Sequence, residues 1–101
     1  MLTLDNLEDI ESLHRTDFYK LITGVEEIPF GVATTAIDPF RNRVTYENMN
    51  QFMQAINLFE KRHGGEYYQG DIEKAKLAYK RKDLDAFQDA LGEILVDIVN
   101  D

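Results

Sequence analysis

The chain has no cysteine and no tryptophan, one serine, two histidines and two prolines among its 101 residues. Without cysteine there is no disulfide framework, no thiolate metal site and no thiol nucleophile, which fits a reducing compartment. Ser12 lies mid-helix in Ile10-Glu11-Ser12-Leu13 and lacks the glycine elbow of a serine nucleophile. His14 and His63 fall in different segments with no companion at metal-ligand spacing, and both read as surface or helix-end residues. Gly64-Gly65 has no phosphate-loop pattern around it and reads as a helix stop. No catalytic residue is therefore assigned. Long apolar runs are missing too, so a membrane span of roughly 18–20 residues is excluded. The opening Met1-Leu2-Thr3-Leu4-Asp5 has neither the basic nor the apolar region of a signal peptide, and a cytoplasmic location is expected.

Acid, by contrast, is abundant. Nineteen Asp and Glu face eleven Lys and Arg, for a net charge of −8. Residues 1–27 carry −5, residues 28–70 balance, residues 71–82 carry +3 and residues 83–101 carry −6 with no base at all. Such a surface repels phosphate backbones, which excludes direct nucleic-acid binding as the main activity, and it favours a basic protein surface.

The length allows one domain, residues 1–101, with one modest core. Leu4, Leu7, Ile10, Leu13, Phe18, Leu21 and Ile22 predict helix over 3–23. The pattern slips at 14–17, where Thr16 could cap a second short helix, and Gly24 suits its end. Over 28–44 the helical pattern fails around both prolines, and either a short β-hairpin or an irregular apolar loop fits. Thr45 is the expected cap of a helix over 46–62, with Met49, Phe52, Met53, Ile56 and Phe59 on its buried face. Of the adjacent Tyr67 and Tyr68, one is expected to pack inward and the other to face solvent. Asp71 would cap a helix over 72–81 that turns Ile72, Ala75 and Tyr79 inward. Lys82-Asp83 turns the chain into a last helix, antiparallel to it. The expected fold class is all-α: a bundle of four or five helices with an irregular or short β-hairpin insertion at 28–44.

Two patterns overlap in that last helix. Leu84, Phe87, Leu91, Ile94, Leu95 and Ile98 form an apolar stripe, while Asp85, Asp89, Glu93, Asp97 and Asp101 recur every fourth residue. Each like-charge pair of this kind costs about 0.2–0.5 kcal/mol, and acids in the last turn also oppose the helix dipole. Folding the two helices back about Lys82 sets Lys80 level with Asp85 and Lys76 level with Asp89. Glu93, Asp97 and Asp101 are left unanswered. These three, with Asp5, Glu8 and Asp9 as a second row, are the candidate partner-binding residues. The expected function is that of a small acidic adaptor or inhibitor that binds a basic protein surface, with imitation of a nucleic-acid backbone as one form of it; Val96 and Val99 widen the apolar face enough to suggest a homodimer. No cofactor is required by this reading.

Residues 82–96, Lys82-Asp83-Leu84-Asp85-Ala86-Phe87-Gln88-Asp89-Ala90-Leu91-Gly92-Glu93-Ile94-Leu95-Val96, also resemble the second metal-binding helix of the all-α nucleoside triphosphate pyrophosphatases, the MazG-like superfamily. The resemblance places Asp89 and Glu93 at two ligand positions. It assigns the preceding helix's acidic cluster to Asp71 and Glu73, and implies Mg²⁺-dependent hydrolysis of nucleotides, or an inactive relative that keeps the scaffold. Asp71 and Glu73 stand two apart, however, and so point in different directions on a helix.

Overall fold

The computed structural model describes residues 3–27 and 43–100. Among these residues the fold is all-α, as the periodicity implies: a 3-10 helix at Leu4–Asp9, then α1 at Arg15–Thr23, α2 at Met49–His63, α3 at Gln69–Arg81 and α4 at Leu84–Asn100. The hairpin or loop expected over 28–44 lies outside the described residues except for Arg43 and Val44.

The helix expected over 3–23 is interrupted, but at 10–14 and not at 14–17, and its cap differs from the expected one. Thr16 sits inside α1, and His14 in extended geometry precedes the helix, its imidazole accepting the Thr16 N–H. Gly24 ends α1 in the left-handed region at φ 78°, and the Arg43 guanidinium donates to the Ile22 carbonyl at 2.9 Å. A Cβ on Gly24 would stand 2.6 Å from that guanidinium, so both conformation and space favour glycine there.

α2 begins three residues later than Thr45 predicts. Asn48 gathers the turn before it, accepting the Thr45 N–H at 2.7 Å and donating to the Arg43 carbonyl at 2.6 Å. The predicted buried face of α2 is complete, and His63 closes its last turn as a buried residue. α3 likewise starts at Gln69, which puts Asp71 in the first turn instead of at the cap. There its carboxylate is favourably placed against the helix dipole. Ile72, Ala75 and Ala78 supply the buried side of α3; Tyr79, expected inward, is exposed instead, with its ring 6.2 Å from Phe87.

The connection to α4 is as tight as the sequence requires. Lys82 takes the left-handed conformation at φ 56°, ψ 38°, and the Asp83 N–H donates to the Ala78 carbonyl at 2.9 Å. Asp83 then caps α4, its carboxylate accepting the Ala86 N–H at 3.2 Å. A β-carbon in the left-handed region is strained, so Lys82→Gly is expected to stabilise the protein by about 1 kcal/mol. Thermal unfolding of the two proteins tests this, and an unchanged or lower midpoint would refute it.

The stripe of α4 is buried throughout apart from half-buried Leu84, and α4 packs chiefly on α3 and also on α1. Val99 belongs to this same core, with Val96 packed at its edge. The wide apolar face is thus largely used within the chain, so it argues for a homodimer less than the sequence suggests. No helix among the described residues is long and apolar enough to cross a membrane.

Candidate functional site

The short Lys82-Asp83 turn holds α3 and α4 antiparallel, and small residues decide what lies between them. Ala78, Ala86 and Ala90, with the exposed Leu77, form the apolar part of a groove of about 610 Å³. Its charged lining is Asp71, Asp83, Asp89 and Glu93 against Lys74 and Arg81. The groove therefore has a negative excess over an apolar floor.

The cations of α3 do not answer the acids of α4 in the expected register. Lys76 turns away to α2, where its ammonium donates to both Glu60 carboxylate oxygens at 2.6 and 2.7 Å. Gln69 donates to the same carboxylate at 2.8 Å. These hydrogen bonds, those of Lys76 first and that of Gln69 next, hold the Glu60 carboxyl below its ordinary value. A long side chain on a half-buried position takes the partner that is already fixed, and Glu60 is the more enclosed carboxylate. Lys74 stays within its own helix, 3.9 Å from Asp71.

Glu93 faces the groove without a cation partner among the described residues. Asp97, one turn further on, is half-buried, with Asp71 of α3 close to it across the two helices. Burial first, then the neighbouring Asp71 carboxyl and the Glu93 charge, raise the Asp97 carboxyl from 3.8 to about 6. The same turn is held from the other side by Tyr67, whose hydroxyl donates to the Asp97 carbonyl at 3.0 Å. Tyr67 is the exposed member of its pair, stacked on the buried Tyr68 at 4.4 Å between ring centres.

The remaining candidates are dispersed. Asp101 lies outside the described residues. Asp5, Glu8 and Asp9 sit on the 3-10 helix, which packs on α2. Asp5 accepts a hydrogen bond from Gln51 at 2.9 Å and borders a different concavity, shared with Asp17, Lys20 and Glu26. The second acidic row is therefore not part of the α3–α4 groove.

Of the residues that the pyrophosphatase resemblance implies, Asp71, Asp89 and Glu93 share the groove. Glu73 does not: it accepts from Gln69 at 2.7 Å and stands 3.9 Å from Lys76. Among the described residues no three acidic or histidine side chains converge as a metal site would require. The donor set thus does not fit the implied Mg²⁺ as placed. Lines of descent add nothing to this geometry, since family models, curated proteins and solved structures all give no match to the chain.

Sequence reasoning missed two features. One is the Asp71–Asp97 contact, hidden because the i,i+4 pattern draws attention along α4 and not across to α3. The other is that His63 is buried, with its ring 5.4 Å from that of His14.

Proposed function

We propose that this protein is a small acidic interaction module, an adaptor or inhibitor, whose α3–α4 groove receives a Lys- or Arg-rich segment of a partner protein. The observation that carries the reading is the excess of acid along the groove, with Asp97 one turn beyond Glu93 and close to Asp71. Burial and these neighbours raise the Asp97 carboxyl to about 6, and Glu93 has no cation among the described residues. Such a cluster costs folding energy by itself, and an incoming ammonium or guanidinium would relieve it while the apolar floor takes the aliphatic stem. A partner's basic segment would also restore the charge balance that Lys76 forgoes by pairing with Glu60.

Titration calorimetry with a Lys/Arg-rich helical peptide tests the reading. Glu93→Gln with Asp97→Asn should weaken binding by about tenfold at low salt and flatten its salt dependence, since each lost charge pair contributes on the order of 1 kcal/mol. Equal affinity of the two proteins would reject it. Nucleic-acid mimicry is a narrower version that would also need the Asp5, Glu8 and Asp9 row, which lies on another element.

A second reading, nucleotide hydrolysis, draws on Asp71, Asp89 and Glu93 sharing one groove. Turnover of a nucleotide panel with Mg²⁺ or Mn²⁺, abolished in Asp89→Ala, would favour it over the interaction module. Self-association is tested by light scattering.

A further inference from the structure

Every α-helix begins with N–H groups that have no partner inside the helix, and a side-chain oxygen usually accepts from them. α1 uses imidazole instead. The Thr16 N–H donates to His14 Nδ1 at 3.3 Å, and the Arg15 N–H donates to His63 Nε2 at 3.0 Å. The Thr16 hydroxyl lies 3.0 Å from the same His14 nitrogen. His63 comes from the far end of α2, so one cap is local and the other ties two helices together.

We propose that α1 is a proton-released element, held at its N-terminus by two imidazole acceptors that become donors when each ring takes a second proton. The contacts fix the neutral forms. His63 donates from Nδ1 to the Glu66 carboxylate at 2.9 Å, so its lone pair is on Nε2. His14 accepts at Nδ1, so its proton is on Nε2. The two rings are therefore opposite tautomers, and any added proton lands on the nitrogen that an α1 N–H already faces.

The surroundings disfavour a charged His14. Burial first, then the charges of His63, Arg62 and Arg15, hold His14 below the ordinary imidazole value of 6.5, with Asp17 opposing. Facing His63 are Glu66, the ring of His14 and, from the start of α3, Tyr68 at 5.9 Å between ring centres. Glu66 touches the His63 nitrogen that already bears hydrogen. Because the folded state prefers neutral His14, its contribution is complete above the ordinary imidazole range. It is lost as pH falls below that range. What α1 then risks is its grip on the core, made through Phe18, Tyr19, Leu21 and Ile22.

Hydrogen exchange read residue by residue, with long-range proton–nitrogen spectra of the imidazoles, tests the proposal on the intact chain. At pH 8 the spectra should show His63 as the Nδ1–H form and His14 as the Nε2–H form. From pH 7.5 to 5 the protection of α1 amides should fall by about tenfold or more relative to the central amides of α2. In His14→Asn, whose side-chain oxygen accepts at any of these pH values, the fall should shrink several-fold. Identical tautomers for the two rings, or α1 protection that tracks α2 within twofold over this range, would overturn the proposal even if the variant failed to fold.

Discussion

Phe59→Ala is expected to destabilise the protein by about 3–5 kcal/mol, the usual cost of removing a fully enclosed aromatic ring. The side chain has no exposed surface and stands at a junction. Its ring is 4.5 Å from Phe18 of α1, 4.9 Å from His63 and 5.1 Å from Tyr68, which opens into α3. No neighbour can fill the space without giving up its own position, since Tyr68 is stacked on Tyr67 and the His63 ring is pinned at both nitrogens. A domain of this size has about 5–15 kcal/mol in total, so the variant would sit near the limit of folding. Urea unfolding of Phe59→Ala and the milder Phe59→Leu checks it. A loss below about 1 kcal/mol for the alanine variant would mean that the aromatic junction is not where the helices are joined.

Asp97→Asn should do the reverse and stabilise the protein at pH 7. Its carboxyl is raised to about 6, so the folded state tolerates the ionised form poorly. The stability tied to this group is complete below 3.8, the ordinary value, and is lost as pH rises through about 6. Neutral solution is therefore where wild type bears the full penalty. An amide cannot ionise, so it removes the charge that burial, Asp71 and Glu93 oppose. The shift alone would suggest a larger figure, but the site is partly solvated, and discounting for screening leaves about 1 kcal/mol. Urea unfolding at pH 7 and pH 4 should show the variant's advantage at the higher pH and little at the lower. A wild type as stable as the variant at pH 7 would contradict the crowding of carboxyls around Asp97.

These outcomes separate what periodicity can show from what it cannot. The apolar stripes of α2 and α4 were legible because burial follows the 3.6-residue repeat directly, and Phe52, Ile56, Leu91 and Ile98 all lie in the core. The turn at Lys82-Asp83 was legible for a related reason: two polar residues between two stripes leave room only for an antiparallel return. Helix starts were less so. Asp71 and Thr45 have the right side chains to cap, but Asn48 and Tyr68 precede the helices, because the backbone course outside the helix decides which residue lies at the end. The partners of charges were least legible. Register alone sets Lys76 beside Asp89, yet a lysine reaches across several ångströms, and Glu60 on a third helix won. For the same reason Asp71 reads as a cap in one dimension and becomes a neighbour of Asp97 in three.

The account depends on carboxylates crowded at the α3–α4 contact without enough positive charge to settle them. Carbon-detected NMR titration of the Asp side-chain carboxyls, from pH 3 to 8, measures this most directly. The Asp97 resonance should titrate with a midpoint near about 6, and its midpoint should drop when Asp71 is replaced by asparagine. A midpoint for Asp97 close to that of a free aspartate, about 4, unchanged by Asp71→Asn, would mean that these acids are ordinary solvated surface and that the groove has no charge left for a partner to answer.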